Sequence, residues 1–140
     1  MRPYSMAWSD RSDGRQTMHQ THRLNAMASP TRGDVWYADL ARTRGHEQSG
    51  IRPVLVVSVD LYNHGPASLV VVLPITSTIR QLPTQVVISP PEGGLRVRSA
   101  ALCDGIRSIA KERLTGRVGS VSEATIRTIE DQLRILLGLP

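Results

Sequence analysis

Two runs of aliphatic residues constrain this chain more than any other feature. "RPVLVVSV" (Arg52–Val59) and "SLVVVLPIT" (Ser68–Thr76) are almost unbroken in Val, Leu and Ile. Both are far shorter than the roughly 18 to 20 apolar residues that cross a bilayer. Their β-branched content and flanking turn residues mark them as strands. The lack of polar alternation means that both faces of each strand are buried. A chain of 140 residues can bury one real core. Strands of this kind then require a small barrel, or a sheet covered by a partner.

The rest of the body fits that frame. "GDVWYADL" (Gly33–Leu40) is a strand in which Val35 and Tyr37 alternate with Trp36 and Ala38. A polar loop, "ARTRGHEQSG" (Ala41–Gly50), leads to the Arg52–Val59 strand, and "YNHGP" (Tyr62–Pro66) supplies the next turn. "TSTIRQLP" reads as a loop, "TQVVIS" (Thr84–Ser89) as a fourth strand and "PPEGG" as a turn. "RSAALCDGIRSI" (Arg98–Ile109) predicts two short strands bent at Asp104-Gly105, and "GRVGSV" a further short strand. The chain closes on a helix, with Ser122 as N-cap and Glu123 in the first turn. Ile126, Ile129, Leu133, Leu136 and Leu137 form one apolar stripe, and Gly138 and Pro140 stop it. The expected fold is mainly β: a compact SH3-like barrel with a C-terminal helix.

Residues 1–30 have a different character. They are rich in Ser, Asp, Arg, Gln, His and Thr and carry neither a helical nor a strand period, so they read as a disordered N-terminal tail before a folded domain over 31–140. No hydrophobic stretch of about 7 to 15 residues marks a secretory signal there. All four methionines (Met1, Met6, Met18, Met27) fall in this segment, so translation starting at Met27 is open. A cytoplasmic location is the expectation. The net charge is +5, with Lys111 the only lysine. The tail holds four Arg and two Asp, which leaves thirteen basic and ten acidic residues in the body. Arginine suits bidentate contact with phosphate, and an excess spread along the chain is compatible with a nucleic-acid partner.

Few residues offer chemistry. His19, His22, His46 and His64 do not stand at ligand spacing with a carboxylate or with Cys103, so no metal site is expected. Cys103 beside Leu102 reads as a small buried hydrophobe. There is no phosphate-cradling loop and no nucleophile elbow. Arg52 remains. Pro53 pushes it out of the α region and fixes it, extended, at the first position of a strand. The plainer reading is a surface arginine paired with Asp60 or Glu47. However, Thr76 and Ser77 leave the end of the next strand as consecutive hydroxyls. If the two strands pair antiparallel, Arg52 and Thr76 become neighbours, and a guanidinium beside a hydroxyl is an anion site. The plainer reading of Thr76 is a strand-ending turn built on its own side chain.

Taken together, "RGDVWYADL", "RGHEQSGIRPVLVVS", "LPITSTIRQLPTQVVI" and "IRSIAKERL" resemble the MazF/PemK toxins of type II toxin–antitoxin systems, in order from about Arg32 to Leu137. The resemblance implies a MazF/CcdB-like barrel that forms homodimers in the cytoplasm. It implies a metal-independent endoribonuclease that cleaves single-stranded RNA, commonly mRNA, at specific sequences, without a cofactor, and is inhibited by a cognate antitoxin. Arg52 and Thr76 fall on the family's catalytic arginine and threonine, and Glu47 on a first-loop glutamate that matters in some members. RNA contacts are expected from Trp36, His46, Gln48 and Ser77. The Ala41–Gly50 loop matches a segment that borders the RNA groove. Trp36 is equally readable as core.

Cleavage without metal can use the neighbouring 2′-OH as nucleophile, which spares DNA. Arg52 then stabilises the charge gathered in the transition state, and Thr76 orients the phosphate or the 2′-OH. An arginine is always protonated and is a poor general base; Glu47 and His46 are the candidates for that role. Some relatives carry Glu-Gln where this chain has Asp104-Gly105, so a cleavage motif does not transfer. The alternative from another class is a non-enzymatic toxin on the same barrel, which, like the CcdB toxins, binds a protein target such as gyrase.

Overall fold

A computed structural model describes residues 29–40 and 50–140. Its elements are β1 (Asp34–Asp39), β2 (Ile51–Val56), a single helical turn α1 (Asp60–Asn63), β3 (Leu69–Thr76), β4 (Gln85–Ile88), β5 (Ser99–Leu102), β6 (Arg107–Ala110), β7 (Leu114–Ser120) and the helix α2 (Glu123–Leu137). The strands form an antiparallel sheet in the order β4-β5-β3-β2-β1-β7, with β6 also paired to β3. The mainly-β fold with a C-terminal helix is therefore present. The reading of the N-terminal tail lies outside the described residues, apart from Ser29 and Pro30.

Two short strands sit on β3 beside β2. β5 pairs with its C-terminal end (Thr76 opposite Ala100), while β6 pairs with its first half (Val72 opposite Arg107). Between them Cys103–Gly105 form a 3-10 turn, the bend expected at Asp104-Gly105. Gly105 is packed against Pro74: a Cβ there would lie 3.1 Å from the proline Cδ. A side chain at 105 therefore needs β3 to give way by a few tenths of an ångström.

β2 stops at Val56, three residues before the end expected from its aliphatic run. The Ser58 hydroxyl takes over from the ladder, accepting from the Val71 N–H at 2.9 Å and bonding the Asn63 carboxamide oxygen. Asn63 is fully buried, and its own amide donates to the Ser58 carbonyl at 2.8 Å and to Asp60 at 3.1 Å. Lys111 completes the network by donating to the Asn63 carbonyl at 2.6 Å. A buried amide is tolerated because each of its polar atoms has a partner. Burial lowers the Lys111 pKa.

Both faces are buried over Val54–Val56 of β2 and Val72–Ile75 of β3, as the unbroken runs required, whereas Tyr37 of β1 and Ile51 at the start of β2 are exposed. Val35, Leu55, Leu73 and Ile75 meet Val86, Ile88 and Ala101 on one face, and Ile129 of α2 closes that cluster. Alternate positions form a second cluster of Trp36, Ala38, Leu40, Val54, Val56, Val70, Val72 and Ile109. Strand alternation sends consecutive residues to opposite faces, so a single run feeds both cores.

The helix is attached at two points. Ser122 caps it by accepting from the Thr125 N–H at 3.2 Å, and Gly138 ends it in the left-handed conformation. Arg32 reaches from the start of β1 to Glu130 at 2.6 Å and also donates to the Val57 carbonyl. Of the expected apolar stripe, Ile129 is buried and Leu133 is partly buried against the core, whereas Leu136 and Leu137 are exposed in the single chain.

Candidate active site

Arg52 is the second residue of β2, held extended by Pro53 and paired across the ladder with Ala38 of β1. On its other side β2 pairs with β3 through Val54–Pro74, Leu55–Leu73 and Val56–Val72. Continued by two residues, that register sets Arg52 opposite Thr76. Alternation places Arg52 on the face of Val54 and Val56, and Thr76 on the face of Val72 and Pro74, which is the same face. Thr76 is in turn opposite Ala100 of β5, and Ala100 is opposite Val87 of β4. A row therefore crosses the sheet as Ala38, Arg52, Thr76, Ala100 and Val87. In that continued register Arg52 and Thr76 lie between Ala38 and Ala100.

The Thr76 oxygen already accepts one hydrogen bond, from the Thr78 N–H at 3.1 Å. This is the strand-ending turn of the plainer reading, and it does not compete with the chemical one. A hydroxyl has two lone pairs and a hydrogen. The backbone bond uses one lone pair and orients the oxygen, while the O–H can still donate to a phosphate or the remaining lone pair accept from a sugar hydroxyl. Ser77 follows on the exposed surface.

Thr76 opens into a cleft of about 340 Å³. Its walls are the loop after β3 (Thr78, Arg80, Leu82, Thr84), Gln85 of β4, and Leu102 with Asp104 at the β5–β6 bend. The loop is held in place by the Arg80 N–H, which donates to the Gln85 side chain at 2.6 Å. Arg80 and Asp104 give this cleft charge of both signs. A second cleft of about 380 Å³ lies between β4 and α2, lined by neutral residues such as Gln85, Thr125, Thr128 and Gln132. It is slightly larger, but no ionisable group lines it, whereas Arg80 and Asp104 line the Thr76 cleft.

The other expected site residues divide into two groups. Glu47, His46 and Gln48 lie outside the described residues. Trp36 is described, and its placement overturns its assignment as an RNA contact: it is 6% exposed, packs in the second core cluster and donates its indole N–H to Asp34 at 3.2 Å. A ring enclosed in this way has no face to offer a base. Cys103 is buried as expected, and burial, with Asp104 adding to it, pushes its thiol up to about 11. Among the described residues, no three His, Cys, Asp or Glu side chains cluster as a metal site would need. No described helix is long and apolar enough to cross a membrane. Arg80 and Asp104 were not singled out as site residues from sequence. They meet Thr76 only because the loop after β3 folds back over the β5–β6 bend, a contact with no periodic signature.

With this geometry in view, the comparisons with known proteins are informative. The profile of the family described as PemK-like, MazF-like toxin of type II toxin–antitoxin system matches residues 31–137. Endoribonuclease MazF9 of Mycobacterium tuberculosis is 39% identical over 113 residues, covering 77% of this chain and 96% of that protein. Endoribonuclease EndoA of Bacillus subtilis is 36% identical over 109 residues, covering 77% of this chain and 94% of that protein. Among solved structures, an endoribonuclease in complex with its cognate antitoxin from a mycobacterial species superimposes with a TM-score of 0.62 at 31% identity, covering 80% of this chain and 96% of the other. Neither named relative is a gyrase-binding toxin, and that alternative finds no support here. The family match over residues 31–137 and the two endoribonuclease relatives agree, and the chain belongs to the PemK-like, MazF-like toxins of type II toxin–antitoxin systems.

Proposed function

We propose that this chain is a toxin that cleaves single-stranded RNA, mRNA in particular, by attack of the 2′-OH on the adjacent phosphate. Arg52 and Thr76 form the core of the catalytic site. One observation supports this reading: the antiparallel β2–β3 register, continued two residues past Val54–Pro74, brings Arg52 opposite Thr76, whose hydroxyl lines a cleft. When the 2′-oxygen attacks, negative charge builds on the two non-bridging phosphate oxygens. Arg52, always cationic, stabilises that charge with its donor fork and is held there before the substrate arrives. Thr76 donates its O–H to the same phosphate or positions the 2′-OH. The ester bond to the leaving 5′-oxygen then breaks, and a proton is delivered to that oxygen. Removal of the 2′-OH proton is assigned to the Ala41–Gly50 loop, with Glu47 and His46 as candidates. Gln48 and Ser77 are the RNA contacts that remain.

The mechanism uses no metal, because the nucleophile is supplied by the substrate and the charge is met by arginine. Its setting is the cytoplasm, its inhibitor a cognate antitoxin, and its assembly a homodimer. The mycobacterial antitoxin complex supports the second of these.

The test is direct. Purified protein is incubated with long RNA in EDTA and the cut ends are mapped, with Arg52→Ala and Thr76→Ala alongside. The expected result is cutting at a defined sequence by the parent, 2′,3′-cyclic phosphate ends, and a loss of about 100-fold or more in each variant. Intact RNA with the parent, or equal cutting by both variants, refutes the reading.

A further inference from the structure

We propose that Arg80 and Arg98 grip the phosphates on the two sides of the scissile one, so that Arg52 acts on a strand already held at both flanks. This rests on the ribonuclease reading of the Thr76 cleft. Arg80 lines the same cleft as Thr76 and is exposed on the loop that leaves β3. Arg98 stands on the opposite flank. It immediately precedes β5 and lies two residues from Ala100, the partner of Thr76. At about 3.3 Å per residue, its backbone is about 7 Å along the chain from that partner, and continuing the β5 alternation by one residue would set it on the face that carries Thr76.

Three properties favour substrate contact over a merely solvated surface. Both arginines are exposed, and neither forms an ion pair with any described residue. Arg32, Arg117, Arg127 and Arg134, away from the cleft, are all paired with carboxylates. Arg80 is thus an exposed cation lining the same cleft as the Thr76 hydroxyl, with no ion pair to a described residue. Finally, Asp104 lines the same cleft as Arg80 and Thr76, which disfavours a phosphate in its depth and favours the arginines at its edge as the places for the backbone. Contacts of this kind position a strand without reading its sequence.

The measurement is the salt dependence of binding. The full chain is titrated with a 2′-fluoro single-stranded oligonucleotide, which lacks the attacking hydroxyl. For single strands, the slope of log affinity against log salt changes by about 0.7 for each phosphate contact. Arg80→Ala and Arg98→Ala should each reduce the slope by about 0.7, and the double variant by about 1.4. Binding at low salt should weaken similarly for unrelated oligonucleotide sequences, and Arg98→Lys should restore the slope. Arg127→Ala, which removes the same charge from the far side of α2, should leave the slope unchanged. An unchanged slope in either cleft variant overturns the two-sided grip, and so does an equal fall in Arg127→Ala. Because the probe cannot be cut, a parent that leaves natural RNA intact refutes the catalytic reading alone. A parent that cuts RNA while the slopes stay fixed refutes the grip alone.

Discussion

Thr76 shows how little a single oxygen needs in order to serve two purposes. Its bond from the Thr78 N–H terminates β3 and orients the hydroxyl, so the local structural role prepares the chemical one. Thr76→Ser keeps that oxygen and should retain most cleavage. Thr76→Val matches the shape but loses both the turn acceptor and the donor, and RNA cutting should fall about 100-fold. Equal activity in the two variants would mean that the methyl, and not the hydroxyl, matters. Gly94 is constrained more strictly still. Its φ is +70°, and a Cβ would approach the Val118 carbonyl oxygen to 2.2 Å. Gly94→Ala should cost roughly 2 kcal/mol or more, from left-handed strain and displaced backbone together, read as a lowered midpoint in urea. The antiparallel pairing of β2 with β3 was legible in the sequence, because two aliphatic runs joined by a short turn segment pair in that way. The fate of Trp36 was not, because in a strand buried on both sides alternation does not tell a covered face from an open one.

Helix α2 was fully legible as an element: its cap, stripe and glycine stop are local signals, and each is where the pattern puts it. What the pattern could not show is the clasp on its first turn. Glu92, from the turn before β5, accepts from the Ser122 N–H at 2.9 Å and from the Thr125 hydroxyl at 2.6 Å. The carboxylate therefore pins the helix start to the barrel across thirty residues of sequence. Burial alone would raise the Glu92 pKa, but the hydrogen bonds from Thr125 and Ser122 outweigh it and leave the pKa lowered. A folded-state pKa below the unfolded one gives stability that is present above the ordinary glutamate value of 4.5. That stability is lost as pH falls through the lowered value. Glu92→Gln should therefore melt below the parent near neutral pH, with the gap closing under more acidic conditions. A gap that is constant with pH would assign the loss to packing instead. Ser122→Ala should cost about 1 kcal/mol by removing the cap itself.

At the scale of the whole molecule, the helix ends with more apolar surface than the barrel covers. Ile129 is buried, but Ile135, Leu136, Leu137 and Leu139 are 74%, 41%, 51% and 55% exposed. Four large aliphatic side chains are thus exposed within five residues at the end of α2, and apolar surface of this kind on a domain marks contact surfaces. They lie at one end of α2, after its last charged side chain, Arg134, which is engaged with Asp131 at 2.9 Å. A second copy of the chain is the occupant that fits the homodimeric reading, since two such ends can cover each other by symmetry. Leu136→Glu combined with Leu137→Glu puts two carboxylates into that contact without touching the core residue Ile129. The parent should sediment as a dimer and the double variant as a monomer. Because neither leucine supports the barrel, the monomer should keep the parent's β-rich circular dichroism spectrum and unfold in a single cooperative transition. A parent that is monomeric at high concentration would remove the dimer from this account. A double variant that stays dimeric would move the contact elsewhere on the barrel, and one that fails to fold would show that the end of α2 belongs to the core after all.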